Sequence, residues 1–159
     1  MEYIEKPATG GEGNFFVDLP AQTNDRENLI LYRGEHAFII LNAYPYSNGH
    51  LMIVPYRHTA SLQDIENQTS LEVMQLLQFG TQLLSAAFHP DGFNLGMNMG
   101  RVAGAGIADH LHWHIVPRWN GDTNFMPVLA DVRVIPESLQ VVYDRLLTSM
   151  QKLGSTGAK

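Results

Sequence analysis

Three of the chain's seven histidines stand at alternating positions in one short run: His110, His112 and His114. Because successive side chains of a β-strand point to opposite faces, a strand here would place all three imidazoles on one side and apolar side chains on the other. A buried imidazole needs a hydrogen-bond partner, so a packed core rarely collects three of them. The alternation therefore indicates a site that does chemistry.

Two kinds of chemistry fit a row of imidazoles. One is metal binding, since histidine is a common ligand of transition metals. On a regular strand the Cα atoms of the first and third histidines are about 13 Å apart. One metal ion can therefore bind two neighbouring histidines but hardly all three. A two-histidine site completed by a ligand from elsewhere stays open at this point. The other is phosphoryl or nucleotidyl transfer, in which one imidazole attacks phosphorus and its neighbours neutralise the oxygens.

A fourth histidine lies in a segment that fits the second chemistry. His50 follows a glycine within LNAYPYSNGHLMIVP, residues 41–55. Together with HLHWHIV, residues 110–116, this segment resembles the histidine triad (HIT) family of nucleotide hydrolases and transferases, whose signature alternates histidine with apolar residues. The resemblance extends from about residue 28 to about residue 137 and so covers most of the chain.

Two further stretches are similar to one branch of that family. NAYPY, residues 42–46, and PRWNGDTNFMPV, residues 117–128, resemble the bacterial diadenosine tetraphosphate phosphorylases. That branch is related to the fragile histidine triad hydrolases of dinucleoside polyphosphates. The resemblance therefore implies cleavage of a dinucleoside polyphosphate, such as diadenosine tetraphosphate.

The resemblance implies a role for each of the four histidines. His112 matches the nucleophile, which attacks the α-phosphorus and forms a covalent nucleotidyl-histidine intermediate. His114 and His50 match positions that hydrogen-bond the phosphate oxygens and the leaving group, and His110 matches the residue that supports the array. An imidazole suits this work because its ordinary pKa, near 6.5, leaves the free base populated at neutral pH. The remaining histidines have no motif support and are expected to be ordinary surface residues: His36, His58 and His89.

The resemblance also implies contacts with the nucleotide. Asn42 lies eight residues before His50, where the family places an Asp or Asn on the ribose hydroxyls. Without the family match, Asn42 would be interpreted as a turn residue. Asn98 and Gly106 belong to the loop before the triad, which approaches the phosphates in the family and needs glycine for close approach. Four apolar side chains lie in segments that could line an adenine pocket: Phe38, Ile40, Leu41 and Leu51. Each of them could equally belong to the hydrophobic core.

The chain departs from the family pattern at two places. Ile107 and Ala108 stand where many members carry a hydroxyl or a glutamine, which makes Arg101 a candidate for contact with the phosphates. Arg118 is a further candidate, or equally an exposed arginine. Some relatives bind structural zinc through a Cys-x-x-Cys pair near the start, whereas the comparable stretch NFFV, residues 14–17, has no cysteine. We therefore expect no metal site and no obligatory cofactor, with Mg²⁺ entering only alongside the polyphosphate substrate.

Composition restricts the class of protein. The chain has 159 residues, 45% of them hydrophobic, which suits one domain over residues 1–159 with a flexible start over 1–13. A formal net charge of −6 argues against binding of a nucleic acid polymer, which needs a positively charged surface. The chain has no cysteine, no apolar leader and no run of about 18 apolar residues. These features predict a cytoplasmic location without a membrane span.

Hydrophobic periodicity predicts an antiparallel α+β fold. Short apolar, β-leaning runs indicate about five strands, at 28–33, 36–42, 49–56, 93–99 and 110–118. One long helix is predicted over 70–88, packed on the sheet through Leu71, Met74, Leu77, Leu84 and Phe88, with Leu76, Leu83 and Ala87 widening the apolar face. A mostly irregular segment over 120–136 precedes a C-terminal helix that begins at Pro136. The resemblance implies the same HIT-like fold, which commonly forms a homodimer.

Several functions remain open from the sequence. The leading one is cleavage of dinucleoside polyphosphates through His112, with the intermediate resolved by phosphate (a phosphorylase) or by water (a hydrolase). A purine nucleoside phosphoramidase and a nucleotide-binding regulatory module with incidental catalysis are the alternatives. The intact triad argues against the regulatory module, because binding alone needs no unencumbered nucleophile. A metal-dependent enzyme built on His110 and His112 is the least favoured hypothesis.

Overall fold

The computed structural model describes residues 15–122 and 137–156. The segments predicted to be flexible over 1–13 and irregular over 123–136 lie outside the described residues. The described strands are β1 (Ile30–Arg33), β2 (Ala37–Leu41), β3 (Leu51–Pro55), β4 (Gly92–Met97) and β5 (Trp113–Arg118). The described helices are α1 (Phe15–Asp18), α2 (Asn67–Phe88) and α3 (Leu139–Thr156), with short 3₁₀ turns at Leu62–Asp64 and Arg101–Ala103.

The five strands form one sheet in the order β1-β2-β3-β5-β4. Every neighbouring pair is antiparallel, as predicted. All residues of β2 and β3 are buried, which explains their continuous apolar sequences AFIIL and LMIVP. β5, which carries the end of the histidine run, lies between β3 and β4 and is therefore held on both sides.

Helix α2 covers one face of the sheet. A methyl group on Gly80 would collide with the Cδ1 atom of Ile115, so the glycine lets the helix approach β5 closely. Leu51 pairs with Leu41 on β2 and with Ile115 on β5, and directly paired residues point to the same side of a sheet. These three side chains therefore face α2. His114, which is adjacent to Ile115 in sequence, faces the opposite side.

The apolar face of α2 confirms the prediction for Leu76, Leu77, Leu83 and Leu84 and differs from it at two positions. Leu71 and Met74 are 61% and 56% exposed, so their prediction as core residues was wrong. The buried stripe passes through Gly80 and consists of Val73, Leu76, Leu77, Leu83 and Leu84. Leu71 precedes Val73 by two positions, which places it about 160° around the helix from that stripe. The helix ends at Phe88, as predicted, and His89 caps it in the left-handed conformation.

The C-terminal helix α3 closes the structure against α2 and β1. Val142, Tyr143 and Leu146 are buried, and the Tyr143 hydroxyl donates to the Ile30 carbonyl at 2.8 Å. Among the helices that the structure describes, none combines the length and the apolar character needed to cross a bilayer. The α2 side of the sheet is thus filled, and the opposite face of β5 is where the histidines lie.

Candidate active site

The histidine run begins before strand β5. Only His114 belongs to the strand, whereas His110 and His112 precede it, so the prediction of a regular strand from residue 110 was wrong at its start. The reason is a local pairing: the Leu111 N–H donates to the Thr59 carbonyl at 2.8 Å, which holds the chain against the segment after β3. The rings of His112 and His114 still lie close together, with centroids 4.9 Å apart.

All four predicted catalytic histidines are at least nine-tenths buried. Burial and the neighbouring His112 lower the pKa of His114 to about 4. Burial also lowers the pKa of His110 and of His112 below the ordinary value of 6.5. The three triad imidazoles are therefore neutral at pH 7, and each one carries its proton on a single nitrogen.

The proton of His112 is placed by a backbone carbonyl. His112 Nδ1 lies 2.9 Å from the carbonyl oxygen of His110, which can only accept a hydrogen bond. Nδ1 therefore carries the proton, and Nε2 keeps its lone pair. This is the tautomer that a nucleophilic imidazole requires.

The proton of His114 is placed by a second histidine. His50 Nε2 lies 2.9 Å from His114 Nδ1, and on the other side of the ring the Tyr46 backbone N–H donates to His50 Nδ1 at 3.1 Å. Because Nδ1 of His50 accepts, neutral His50 carries its proton on Nε2 and donates it to His114. His114 must then carry its own proton on Nε2. The site thus combines a lone pair on His112 with an N–H donor on His114.

Asn42 is next to this pair of histidines. Its Oδ1 atom accepts the Tyr44 N–H at 2.9 Å, and its Nδ2 atom lies 3.3 Å from His50 Nδ1. The structure therefore brings Asn42 and His50 together. The contact of Asn42 with ribose hydroxyls stays a prediction.

His110 supports the array from within the protein. Its Nε2–H donates to the Pro55 carbonyl at 2.8 Å, and within the described part of the chain its buried Nδ1 atom has no hydrogen-bond partner. Phe16 packs edge-on against the His110 ring at 5.5 Å and also contacts the His112 ring at 5.1 Å. The His58 ring stacks on the His110 ring at 5.2 Å, and its Nε2 lies 3.2 Å from Asp109 Oδ2. His58 is 45% exposed, as predicted for a surface residue, but it also contacts the triad.

A cavity of about 390 Å³ opens beside His114. Tyr46, Asn98 and Arg118 contribute to its lining. Arg118 makes a two-pronged ion pair with Asp122, with distances of 2.6 and 2.7 Å, which compensates much of its charge. This cavity continues the site from the histidines toward strand β4.

Comparison with known proteins identifies the family. Residues 23–121 match the sequence profile of the HIT domain. The chain belongs to the HIT domain family.

Curated HIT relatives include two nucleotide enzymes. The chain is 42% identical to the AP-4-A phosphorylase of Mycobacterium tuberculosis over 125 residues, which cover 79% of this chain and 64% of that protein. It is 30% identical to a bis(5'-adenosyl)-triphosphatase of Saccharomyces cerevisiae over 91 residues, which cover 57% of this chain and 44% of that protein. The chain thus spans less than two thirds of the length of either relative.

A solved structure of a zinc-bound histidine triad family protein from Mycobacterium smegmatis has the same fold. Its TM-score is 0.70 at 24% identity, and the match covers 89% of this chain and 95% of that one. In the present chain, the stretch over residues 14–17 contains no cysteine, and the buried Phe16 ring packs on His110. In the described ranges, no three His, Cys, Asp or Glu side chains are grouped so as to hold a metal ion.

The remaining predicted contact residues separate by their side of the sheet. Leu41 and Leu51 face α2 and belong to the core of the HIT domain. Phe38 and Ile40 alternate with Leu41 along β2 and therefore lie on the histidine side, where Phe38 stacks on Tyr56 at 5.4 Å. The contact of Phe38 with a nucleotide stays a prediction.

The loop before the triad contains two of the predicted contact residues. Asn98 lines the cavity and donates to the Gly104 carbonyl at 3.3 Å. Gly100 and Gly104 have φ angles of 82° and 90°, a conformation that favours glycine. Gly106 has open space where a side chain would start, and its contact with phosphate stays a prediction.

Two groups of this HIT site were missed from the sequence. Tyr46 acts through its backbone N–H, which carries no sequence signal. Phe16 had a signal, because it belongs to a pair of adjacent phenylalanines in an otherwise polar stretch. Its contact with two triad histidines became visible only when α1 was placed beside them.

Proposed function

We propose that this protein cleaves dinucleoside polyphosphates, with diadenosine tetraphosphate as the representative substrate, through a nucleotidyl intermediate on His112. The observation that carries the proposal is the pair of opposite tautomers at the site. His112 Nε2 has a lone pair, and the neighbouring His114 Nε2 has a proton. The names of the phosphorylase and triphosphatase relatives support the same substrate class.

In the first step, the Nε2 atom of His112 attacks the α-phosphorus. A P–N bond forms as the bond from phosphorus to the bridging oxygen breaks, and the electron pair leaves with the polyphosphate. His114 Nε2–H hydrogen-bonds that departing oxygen, which is a weak base and needs no full proton transfer. The attack makes the His112 ring cationic, and the His110 carbonyl on Nδ1–H stabilises that charge.

In the second step, an acceptor displaces His112 from the phosphorus. We propose inorganic phosphate as this acceptor, because a relative of 42% identity is an AP-4-A phosphorylase. A phosphate oxygen forms the new bond as the P–N bond breaks, and the lone pair returns to Nε2. The cavity of about 390 Å³ beside His114 has room for phosphate, which is a small anion.

The decisive experiment supplies diadenosine tetraphosphate with and without inorganic phosphate and separates the products. We expect ADP and ATP that form only when phosphate is present. AMP and ATP without phosphate would replace phosphorolysis by hydrolysis and keep the substrate class. Turnover of an adenosine phosphoramidate, with no cleavage of dinucleoside polyphosphates, would overturn the proposal in favour of a phosphoramidase.

We also propose that the protein is a cytoplasmic homodimer. The lack of cysteine favours a reducing compartment.

The homodimer is supported by an exposed strand. Strand β4 lies at the edge of the sheet, and Leu95 on it is 53% exposed. An exposed edge offers unpaired backbone groups to a second copy, and a charge placed there opposes such pairing. Light scattering should give twice the mass of the chain, and Leu95→Lys should reduce it to one chain; a monomeric wild type would exclude the homodimer.

A further inference from the structure

We propose that Asn42 is a positioning residue that keeps His50 Nδ1 unprotonated and thereby fixes the tautomer of His114. Its effect on catalysis rests on the function proposed above, whereas the tautomers themselves can be measured without a substrate. This role is separate from the predicted contact of Asn42 with ribose.

The side chain of Asn42 has only one orientation that satisfies its neighbours. The Tyr44 N–H is a donor and lies 2.9 Å from the amide, so the atom that faces it must be the oxygen. The amide nitrogen then faces His50 Nδ1 at 3.3 Å. The backbone adds a second link, because the Asn42 N–H donates to the His50 carbonyl at 2.9 Å.

Two donors therefore meet at one nitrogen of His50. The Tyr46 N–H comes from the backbone at 3.1 Å, and the Asn42 amide comes from the end of β2. A proton on Nδ1 would face both donors and break both hydrogen bonds. The proton of His50 is consequently confined to Nε2, from which it is donated to His114.

The surroundings of His50 make the amide important. The titratable groups in ring contact with it are His114 on β5, at 5.0 Å, and the Tyr46 ring, at 4.7 Å. His112 follows beyond His114. Among the described residues, neither of these two ring contacts is a carboxylate, so the hydrogen bonds to Nδ1 select the position of the proton.

Asn42→Asp separates the two roles of this residue. A carboxylate can still accept a hydrogen bond from ribose hydroxyls, but it has no N–H to donate to His50 Nδ1. A negative charge about 3 Å from that nitrogen favours its protonation and raises the pKa of the imidazole. Asn67→Asp is the matched control, since it makes the same charge change at the exposed start of α2.

The first experiment measures imidazole ¹⁵N shifts by NMR in the free protein at neutral pH. We expect the wild type and Asn67→Asp to show protons on Nε2 of His50 and His114 and on Nδ1 of His112. Asn42→Asp should show a protonated Nδ1 on His50. A wild-type His50 with its proton on Nδ1, or an Asn42→Asp spectrum equal to that of the control, would overturn the proposal. Should the aspartate variant not fold, Asn42→Ala gives the same test, with a mixture of His50 tautomers expected.

The second experiment measures kcat and KM against pH with diadenosine tetraphosphate. For Asn42→Asp we expect the pH profile of kcat to shift upward by about one unit or more, with KM near the wild-type value. A changed KM with an unshifted profile would leave Asn42 with the ribose role alone. A protein that shows the expected tautomers but does not cleave this substrate would refute the proposed function and leave the assignment of Asn42 intact.

Discussion

At the scale of single residues, the site depends on where protons lie rather than on how many charges it carries. The backbone carbonyl of His110 holds the proton of His112 on Nδ1, and the Tyr46 N–H sets the opposite state of His50. The N–H that His50 donates to His114 Nδ1 in turn fixes the tautomer of His114. Because these links are short and buried, each imidazole is prepared for its role before substrate arrives.

The nucleophile gives the first prediction. His112→Asn removes the attacking nitrogen and should lower kcat by several orders of magnitude, because covalent catalysis fails without it. Nucleotide affinity, measured by calorimetry, should remain near that of the wild type. His36→Asn is the control, since His36 lies at the start of β2. Retention of more than about a tenth of kcat, a barrier change of only about 1.4 kcal/mol, would exclude His112 as nucleophile.

The acid limb of the pH–rate profile gives the second prediction. Burial lowers the pKa of His112, and protonation of its Nε2 atom removes the attacking lone pair. Activity should therefore be retained as pH falls through 6.5 and be lost only at a lower pH. The profile of kcat/KM reports the ionisation of the free enzyme and is the measurement to use. A limb centred at or above pH 6.5 would contradict a buried, neutral nucleophile.

At the scale of elements, helix α2 also fixes the turn between β1 and β2. The Glu72 carboxylate of α2 accepts the backbone N–H groups of Glu35 and His36. The sequence predicted strands at 28–33 and 36–42 but carried no sign that a helix residue 37 positions after Glu35 would hold the turn between them. The turn between β1 and β2 is thereby held against helix α2, which covers the core.

Glu72→Ala should lower the free energy of unfolding by about 1–3 kcal/mol, since two backbone donors lose a charged acceptor. Alanine is itself favourable in a helix, so the loss cannot come from helix propensity. The control is Glu66→Ala, which breaks only the exposed ion pair with Arg57 and should cost at most about 1 kcal/mol. Urea denaturation measures both variants, and equal losses would show that the turn contacts contribute nothing of their own.

At the scale of the whole molecule, the buried histidines link stability to pH. His114 has a pKa of about 4 in the folded protein against an ordinary value of 6.5, so between these pH values the unfolded chain binds the extra proton. The free energy of unfolding should therefore fall as pH decreases from 6.5 to 4, by about 3 kcal/mol from this group alone. His114→Gln should flatten the dependence in urea titrations. An unchanged slope in that variant would show that other groups dominate.

Chelation tests the proposed independence from a resident metal. The Phe16 ring packs edge-on against His110, and the Nε2 atom of His110 donates to the Pro55 carbonyl rather than being open to a metal ion. We expect activity to survive dialysis against EDTA when substrate is supplied free of Mg²⁺. Stoichiometric zinc in the purified protein, with activity lost on its removal and restored on its return, would contradict this.

The sequence by itself determined the family, the antiparallel order of local elements and the identity of the four histidines. This was possible because these properties depend on short-range patterns. Alternation along a strand and helical periodicity arise from backbone geometry, and the histidine signature lies within seven consecutive residues. The link from Asn42 to His50 was also predictable as proximity, since only a short connection separates β2 from β3.

Tertiary structure decided which faces of the helices and strands are covered and which ring nitrogen of each imidazole carries the proton. Leu71 and Met74 followed the helical period, but close packing at Gly80 selected a different stripe of α2. Alternation along β2 puts Leu41 and Phe38 on opposite sides of the sheet, but only strand pairing shows which of the two shares a side with the histidines. The tautomers depend on carbonyl and amide groups brought into place by folding, and backbone groups are chemically alike at nearly every position. The sequence can therefore identify the histidines of the site, but only the folded structure fixes their tautomers.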